Sequence, residues 1–320
     1  MIGLLLPAEV LYRGAVLLRN RCYDLGVLPE SEGRIPIISV GNLAVGGTGK
    51  TPVSSWLIAR LTSMGHRPAL VTRGYGSDEV LLYKVRHPGV PVVVRKSKLE
   101  GVAQAAREGA TVAVLDDGFQ HRAARRDVDI VLLAAEHGVE GPLLPRGRFR
   151  EPMSALSRTD AIVVTRKVAT QDAAYVVGCL ATGWAPKAVL GQIHLKEDSW
   201  TELGNEPTAQ TPARTPAGDL LAVSSIAEPE GFHEMVRSKA SGMVECMAFP
   251  DHHQFSDKDV RRIVERASGR PVVTTEKDAV KLRTFSEEMP RTYVLRLRVA
   301  WDFGQDAVME LIRRALDTNP

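Results

Sequence analysis

A glycine-rich turn that ends in Lys-Thr contains the residues whose types and spacing most directly indicate chemistry. The loop residues predicted to bind phosphate are Gly46, Gly47, Thr48 and Gly49. Glycines allow a tight turn in which several backbone N–H groups converge on an anion. Lys50 is then expected to contact the β- and γ-phosphates, and Thr51 a Mg²⁺ ion. The turn therefore predicts binding of a nucleoside triphosphate, although Ala44 stands where the complete motif has its first glycine.

Two carboxylates follow the apolar run 111–115, where a buried strand should end. Asp116 and Asp117 would lie at the carboxyl edge of a sheet, where α/β proteins bind their ligands. An enzyme with a P-loop keeps its Mg²⁺-directed acid in this position. Asp-Asp-Gly is also good turn chemistry, so without the glycine-rich turn a plain strand-ending turn would explain these residues equally well. With that turn, we predict a site for Mg²⁺ and phosphate.

Another loop follows the apolar run 68–72 and brings Arg73, Tyr75 and Asp78 to the same edge. The guanidinium of Arg73 suits phosphate binding. A carboxylate in this place can accept the proton of an acceptor hydroxyl. Asp78 has a second explanation, because its position also fits the N-cap of a helix over 80–85, and on spacing alone that explanation is the simpler one.

A basic, glycine-bent loop at 144–152 contains Arg150 and Glu151. Its guanidinium groups suit a phosphate or another anion. A solvated surface loop explains the composition equally well, so the loop by itself does not define a site.

Asp251, His252 and His253 follow one another in the second half of the chain. A metal site would need a third ligand at suitable spacing, and none stands nearby in the sequence. A hydrogen-bonded Asp-His pair is therefore the better explanation. The charged segment 274–278 fits the start of a helix, with Thr275 and Asp278 at capping-box spacing.

Apolar runs alternate with helical patterns along most of the chain, which predicts an α/β protein. The runs 68–72, 91–94, 111–115, 130–134 and 161–165 are typical of buried parallel strands. We predict a P-loop NTPase-type, mostly parallel sheet domain and a smaller second α/β domain. Two alternating segments, 189–196 and 293–301, would form an antiparallel pair that links them. The predicted regions are 1–28 (N-terminal helix), 29–188 (P-loop domain), 189–303 (linker strands and smaller domain) and 304–320 (C-terminal helix).

The first 28 residues have helical periodicity with one apolar stripe. The stripe consists of Leu4, Ala8, Leu11, Ala15, Leu18, Cys22 and Leu25. Arginines interrupt the segment, which argues against a signal peptide or a transmembrane span. Two explanations stay open at this point: a helix packed on the core, or a helix that lies in a membrane interface.

Length and charge limit the classes of function. The chain has 320 residues, enough for two domains, and its 41 basic and 38 acidic residues give a net charge of +3. That balance does not indicate a nucleic-acid surface. Cys22, Cys179 and Cys246 lie far apart, so neither a zinc site nor a disulfide framework is expected, and a reducing cytoplasmic setting fits.

Taken together, these motifs resemble the tetraacyldisaccharide 4′-kinase family over nearly the whole chain. The segments that carry the resemblance are Val40-Gly-Asn-Leu-Ala-Val-Gly-Gly-Thr-Gly-Lys-Thr-Pro52, Arg73-Gly-Tyr-Gly76, Asp116-Asp-Gly-Phe-Gln-His121, Leu144-Pro-Arg-Gly147 with Arg150-Glu-Pro152, Phe249-Pro-Asp-His-His253 and Thr274-Thr-Glu-Lys-Asp-Ala-Val-Lys-Leu282. The family uses ATP and Mg²⁺ to phosphorylate the 4′-hydroxyl of a lipid A precursor at the cytoplasmic face of the Gram-negative inner membrane. The resemblance therefore implies a lipid kinase, with the first helix on the membrane surface and neither a nucleic acid nor an obligate protein partner.

The resemblance also implies roles for individual residues. Asp78 matches the family's catalytic aspartate and His252 the histidine that assists it. The residues expected around ATP and Mg²⁺, besides the glycine-rich turn with Lys50 and Thr51, are Asp116, Asp117, Gln120, Arg150 and Glu151. Those expected to contact the acceptor are Arg73, Tyr75 and His121.

The sequence departs from the family pattern in two places. The insert before the acidic pair at Asp78 is almost absent, and the pair lacks its flanking glycine and proline. The family's Asp-Arg after the next strand is missing, with Lys96 and Ser97 near that point. Two other functions compete with the lipid kinase: a membrane-associated nucleotide-dependent switch or chaperone without an acceptor, and a soluble kinase of a small metabolite.

Overall fold

A computed structural model of the protein describes residues 5–74, 77–204 and 216–318. The chain divides into two compact units. Unit 1 comprises residues 1–75, 87–195 and 299–320, and unit 2 comprises residues 76–86 and 196–298. Each unit is described by itself below.

Strands and helices alternate through most of the described chain. The strands are β1 (Ile37–Asn42), β2 (Pro68–Thr72), β3 (Val92–Val94), β4 (Val112–Asp116), β5 (Val128–Ala134), β6 (Ala161–Arg166), β7 (Val189–Glu202), β8 (Leu220–Ser224), β9 (Val244–Ala248), β10 (Val272–Thr275) and β11 (Thr292–Phe303). The helices are α1 (Leu6–Asp24), α2 (Lys50–Ser63), α3 (Ser77–Arg86), α4 (Lys98–Arg107), α5 (Gln171–Thr182), α6 (Pro229–Lys239), α7 (Asp257–Ala267), α8 (Glu276–Leu282) and α9 (Gln305–Thr318). Short 3₁₀ turns lie at Ala135–His137, Met153–Arg158 and Arg283–Phe285.

The sheet of unit 1 has the strand order β3-β2-β4-β1-β5-β6-β7, and its neighbouring strands are parallel. Every residue of β1, β2, β4 and β5 is buried, because helices cover parallel sheets on both faces. The predicted α/β class with a mostly parallel sheet is confirmed. Because β1 and β4 are parallel neighbours, their carboxyl ends meet at one edge of the sheet. The glycine-rich turn follows β1 at this edge, and Asp116 is the last residue of β4.

Unit 2 contains a smaller parallel arrangement with the order β11-β10-β8-β9. Its core packs around β8 and β10, which are buried over most of their length. Residues 76–86 belong to this unit, whereas the sequence placed them in the P-loop domain. The physical reason is that α3 packs against α8, and Arg86 donates a bidentate hydrogen bond to Glu276.

The chain passes between the units in β7 and again in β11, which are neighbours. In unit 1 a Cβ placed on Gly191 would lie 2.7 Å from the Trp301 ring. In unit 2 the N–H of Leu203 donates to the carbonyl oxygen of Thr292 at 2.9 Å. Residue numbers rise along β7 while those of the facing residues in β11 fall, so the two strands are antiparallel, as predicted.

Helix α1 lies on unit 1 by a narrow face. Glu9 and Val16 are buried, and Tyr12 donates a hydrogen bond to the carbonyl oxygen of Arg150 at 3.0 Å. Most of its leucines face outward, and Leu11 is 75% exposed. The first explanation of α1, a helix that packs on the core by its apolar stripe, is therefore wrong. Other residues of the helix contact unit 1. Among the described helices, none has the length and apolar character needed to cross a bilayer.

Candidate functional site

The glycine-rich turn connects the end of β1 to the start of α2. Gly49 occupies the N-cap position with φ = +83°, a left-handed conformation that favours glycine. Asn42 donates a hydrogen bond to the Thr48 hydroxyl at 2.8 Å, and Thr165 donates to the Thr48 carbonyl at 3.0 Å. Lys167 donates to the carbonyl of Gly47 at 2.7 Å. The turn is thus held from neighbouring strands and presents the first, intrahelically unpaired N–H groups of α2, which suit an anion.

Lys50 and Asp117 lie close together at this edge of the sheet. The Lys50 ammonium is 3.8 Å from Asp117 Oδ1, and Arg150 donates to Asp117 Oδ2 at 2.6 Å. Burial by itself would raise the pKa of Asp117, but Lys50 and Arg150 outweigh it and hold the pKa below its usual range. Asp117 is therefore ionised, and its backbone is left-handed with φ = +53°. Two cations beside one carboxylate form a region that suits the phosphates of a nucleotide.

Asp116 and Thr51 are the other expected metal ligands. Asp116 ends β4 and is buried, and Thr51 is the second residue of α2. Among the described residues, no group of three or more His, Cys, Asp or Glu side chains is arranged to hold a metal ion. A carboxylate and a hydroxyl are nevertheless what Mg²⁺ takes from a protein when phosphates and water complete its shell.

Gln120 and His121 follow the acidic pair and stay in the same region. Gln120 donates to the carbonyl of Asn42 at 2.9 Å and accepts from Arg150 at 3.4 Å. Burial, together with the positive charges of Arg73 and Lys98, lowers the pKa of His121 to about 4. The imidazole is therefore neutral at neutral pH. The structure thus joins Gln120 and His121 to the lysine and aspartate of the predicted site.

Glu151 is placed differently from the expectation. Its carboxylate is buried and accepts from Arg158 at 2.9 Å and from Asn20 at 2.7 Å. These partners lie on the α1 side of the loop, so the structure does not bring Glu151 to the phosphate-binding residues. Arg73 is exposed and donates to the carbonyl of Lys96 at 3.2 Å. Tyr75 lies outside the described residues.

Asp78 and His252 are in direct contact within unit 2. His252 Nδ1 is 3.1 Å from Asp78 Oδ1 and 3.2 Å from Oδ2. The Asp78 side chain is 0% exposed and that of His252 is 34% exposed. Burial would raise the pKa of Asp78, but Lys277, the hydrogen bond from His252 and Lys281 together lower it. Asp78 lies inside the first turn of α3, so the N-cap explanation of this residue is wrong.

His253 has a separate, structural environment. Its ring stacks on Phe249 at 4.9 Å, and its Nε2 is 3.1 Å from Asp259 Oδ2. Of the two adjacent histidines, the structure therefore brings only His252 to Asp78 among the described residues. The left-handed backbone of His252, with φ = +57°, turns the two rings apart.

Sequence reasoning missed several polar residues of these two regions. Lys98 is buried at the start of α4 and donates to the carbonyls of Val71 at 3.1 Å and Asp116 at 2.6 Å. Lys277 and Lys281 of α8 face Asp78. A usable signal existed in Asn42, a polar residue that ends an apolar strand. No such signal pointed to Lys98, because its hydrogen-bond partners are distant in sequence.

Comparisons with known proteins cover the whole chain. The family model described as tetraacyldisaccharide-1-P 4′-kinase matches residues 1–317. The tetraacyldisaccharide 4′-kinase of Anaeromyxobacter sp. (strain Fw109-5) is 35% identical over 349 residues, covering 99% of this chain and 92% of that protein. The tetraacyldisaccharide 4′-kinase of Chlorobium luteolum (strain DSM 273 / BCRC 81028 / 2530) is 34% identical over 313 residues, covering 87% and 86%. The crystal structure of "apo" form LpxK from Aquifex aeolicus in complex with ATP has a TM-score of 0.77 at 26% identity and covers 98% of this chain and 99% of that chain.

Proposed function

Because the chain belongs to the tetraacyldisaccharide-1-P 4′-kinase family, we propose that it transfers the γ-phosphoryl group of ATP to the 4′-hydroxyl of tetraacyldisaccharide 1-phosphate. The product would be lipid IVA, an intermediate of lipid A biosynthesis. The protein is thus a phosphotransferase with an alcohol group as acceptor. The observation that carries the proposal is the pair of prepared regions: a cationic phosphate site in unit 1 and a buried Asp-His pair in unit 2.

Lys50 and Arg150 act on the phosphate side of the reaction. Phosphoryl transfer spreads negative charge over the oxygens of the moving group, so catalysis consists mainly of positioning and charge stabilisation. Lys50 lies beside Asp117, and Arg150 binds the other oxygen of the same carboxylate. Asp117 keeps both cations in place until the phosphates of ATP arrive. The N–H groups of the glycine-rich turn bind the nucleotide oxygens.

The donors at the strand edge fit a Mg²⁺ ion. Thr51 and Asp116 are the residues that would hold it, with Asp117 beside them, and all three offer the oxygen atoms that this ion prefers. When bound, Mg²⁺ supplies positive charge that neutralises the β- and γ-phosphate oxygens.

Asp78 and His252 act on the acceptor side. An alcohol attacks phosphorus more readily when its proton is taken up during the step, which contributes typically about 10² to 10⁴ in rate. The pair is assembled at 3.1 Å from segments that lie far apart in the sequence. Such a pair accepts one proton, and the half-buried imidazole of His252 is its more accessible member.

The outward face of α1 suits contact with a membrane surface, where an acylated acceptor would reside. Leu18 is 66% exposed and Leu11 75%, while Glu9 and Tyr12 fix the opposite side of the helix to the loop 142–150. Exposed leucines gain free energy by entering the acyl boundary of a bilayer. We propose that the protein is a peripheral component on the cytoplasmic face of the bacterial inner membrane, as the family resemblance implies. We expect neither a nucleic acid nor an obligate protein partner to take part.

A nucleotide-dependent switch is the alternative function. A switch needs a group that positions water, but it does not need a proton acceptor for an alcohol. The buried Asp78 carboxylate, hydrogen-bonded to an imidazole and surrounded by lysines, favours the kinase.

Transfer of labelled γ-phosphate tests the function directly. The protein is incubated with Mg·ATP and tetraacyldisaccharide 1-phosphate in detergent micelles, and Lys50→Ala serves as the blank. We expect labelled lipid with the natural chain only, and a Lys187→Ala variant, which removes an exposed lysine of unit 1, should match it. ATP binding without any labelled lipid would contradict the kinase and support the switch.

Liposome flotation tests the membrane surface. The double variant Leu11→Ser/Leu18→Ser should float several times less than the natural chain, because burial of each leucine side chain is worth about 1.5 to 3 kcal/mol. Val16→Ser is the matched control, since Val16 is buried and its loss should lower stability rather than binding. Equal flotation of the double variant and the natural chain would contradict the proposed membrane contact.

A further inference from the structure

The loop that follows β6 carries a lysine whose side chain reaches the glycine-rich turn, and the proposed function gives this lysine no role. Strands β1, β5 and β6 are consecutive in the sheet and parallel, so their carboxyl ends share one edge. The glycine-rich turn follows β1 at this edge, and Lys167 follows β6. The Lys167 ammonium donates to the carbonyl oxygen of Gly47 at 2.7 Å. Both segments belong to unit 1, so this contact lies within one compact body.

The two glycines at the start of the turn explain why such a contact matters. Glycine adopts left-handed and right-handed backbone conformations about equally well, and Gly46 has φ = +111°. The peptide after Gly47 therefore rotates easily unless a group outside the turn holds it. A carbonyl oxygen that turned toward bound phosphates would repel them, because both carry negative charge. Lys167 holds this oxygen by a charge-assisted hydrogen bond.

Thr165, at the end of the same strand, holds the next peptide of the turn. Its hydroxyl donates to the carbonyl oxygen of Thr48 at 3.0 Å. In a planar trans peptide the N–H points away from the carbonyl, so the N–H groups of Thr48 and Gly49 are oriented as well. The N–H of Thr48 donates inside the turn, to the carbonyl oxygen of Gly46 at 2.9 Å. Two consecutive peptides of the phosphate-binding turn are thus held from β6.

Glu136 holds the loop that carries Lys167. It lies in the 3₁₀ turn after β5, and its Oε1 accepts the backbone N–H groups of Lys167 at 2.7 Å, Val168 at 3.1 Å and Ala169 at 3.3 Å. Partial burial would raise the pKa of Glu136, but these backbone hydrogen bonds hold the pKa below its usual range. On the β7 side, His194 Nε2 lies 3.2 Å from the carbonyl oxygen of Lys167. The backbone of Lys167 is therefore fixed from both neighbouring strands.

We propose that Lys167 is a positioning residue that fixes the glycine-rich turn for binding of a triphosphate, and that Glu136 acts through Lys167. This inference rests on the proposed binding of ATP at that turn. Lys167 holds a peptide of the turn and has no part in the transfer step itself. Its loss should therefore weaken binding of the triphosphate group and leave the transfer rate from bound ATP nearly unchanged.

Calorimetric titration of the complete chain with Mg·ATP and, separately, with Mg²⁺ and inorganic triphosphate tests the role of Lys167. For Lys167→Met we expect both affinities to fall by about tenfold, because a charge-assisted hydrogen bond to the turn is lost. Single-turnover transfer from bound ATP should stay within about threefold of the natural rate. Lys187→Met, which removes an exposed lysine of the same unit, should match the natural chain.

Three results with Lys167→Met would overturn the proposal. A loss of ATP affinity with unchanged affinity for inorganic triphosphate would mean that Lys167 contacts the nucleoside. Unchanged affinity for both ligands would mean that the turn does not depend on Lys167. A fall in the transfer rate from bound ATP as large as the fall in affinity would place Lys167 in the transfer step.

Glu136→Gln tests the second part of the proposal by the sign of its effect. A carboxylate at this edge of the sheet repels an anion bound there, so its removal alone should strengthen ATP binding. We expect instead a loss of about threefold, because a neutral amide oxygen binds the three N–H groups less strongly and Lys167 is held less firmly. In the Lys167→Met background the same change should cause no further loss. Glu140→Gln, which removes an exposed carboxylate four residues away, should not weaken binding.

Stronger ATP binding by Glu136→Gln, or losses that add in the double variant, would overturn the role of Glu136. Thermal unfolding of each variant is measured in parallel, and we expect midpoints within about 2 °C of the natural chain, as for substitutions outside the core. If the binding losses occur and the natural chain transfers no phosphate to the lipid, the proposed function fails while the role of Lys167 stands. If the natural chain transfers phosphate and the variants bind ATP as it does, the inference fails while the function stands.

Discussion

The phosphate site of unit 1 and the Asp-His pair of unit 2 are built in different ways. The first is mainly backbone: a glycine turn and a helix start, with Lys50 and Asp117 next to them in the fold. The second is entirely side chain, and Asp78, His252 and Lys277 come from three separate segments. A site made of backbone groups is formed by one continuous stretch of sequence, whereas a side-chain cluster forms only when the chain folds.

This difference has a consequence for function. A substitution in unit 1 should weaken nucleotide binding together with turnover, because the nucleotide touches the altered group. A substitution in the pair of unit 2 should lower turnover and leave nucleotide binding intact.

His252→Ala has the largest expected effect. Asp78 would lose the ring that assists it in accepting the hydroxyl proton, so phosphate transfer should fall by about 10² to 10⁴ with ATP affinity unchanged. His253→Ala is the matched control, since His253 stacks on Phe249 and binds Asp259. It should retain transfer within about threefold and lose some stability. Equal losses of transfer in the two variants would remove His252 from the mechanism.

Lys50→Met should lower transfer by about 10² to 10³, the usual result of deleting one charge-stabilising donor. In contrast to the His252 variant, its ATP affinity should fall as well. Calorimetric titration with Mg·ATP measures the affinity, and Lys187→Met provides an exposed lysine of the same unit as control. Unchanged affinity with lost transfer would mean that the two regions do not differ in the manner described.

Asn42→Ala tests the frame of the phosphate site. Asn42 donates to the Thr48 hydroxyl and to the carbonyl of Ala44 in the buried turn. We expect the free energy of unfolding to fall by about 1 to 3 kcal/mol, because buried partners lose their hydrogen bonds. Gln104→Ala, which removes a half-buried amide whose hydrogen bond goes to Glu108 of the neighbouring helix turn, should change it by less than about 0.5 kcal/mol. Denaturant titration separates the two, and equal changes would show that the turn is not held by Asn42.

His121→Gln tests the electrostatics of unit 1 and has the smallest expected effect. The pKa of His121 is about 4 in the folded chain, below the usual value near 6.5, so the unfolded chain binds more protons between these values. Stability therefore falls as pH is lowered from about 6.5 toward about 4, by at most about 1.4 kcal/mol per pH unit from this residue. The variant should lose less stability than the natural chain between pH 7 and pH 5. Parallel pH profiles would contradict the shifted pKa.

The fold could be predicted to a large extent from apolar runs. Strand β2 begins and ends at the predicted residues, because fully buried parallel strands give unbroken apolar segments. The membership of α3 in unit 2 could not be predicted, since it depends on its packing against α8. The surroundings of the apolar stripe of α1 could not be predicted either, because periodicity shows that a stripe exists but not what it contacts.

In the candidate site, too, contacts within local motifs could be predicted from the sequence and contacts that depend on packing could not. The contact of Lys50 with the acidic pair follows from local motifs and from the adjacency of β1 and β4. The contact of Asp78 with His252 was expected from resemblance alone. Glu151 shows the limit most clearly: its motif placed it at the phosphates, yet its carboxylate turns the other way and binds Arg158. Sequence position fixes which loop carries a side chain, and packing decides where that side chain points.

The most direct test of the separation between the two regions is a measurement on Asp78→Asn. ATP affinity is measured by titration, and the rate of transfer to tetraacyldisaccharide 1-phosphate is measured in a single turnover with ATP already bound. We predict natural affinity and a transfer rate lowered by about 10² or more, because the pair loses the carboxylate that accepts the proton of the acceptor hydroxyl. Collapsed affinity with a normal rate from bound ATP would contradict it.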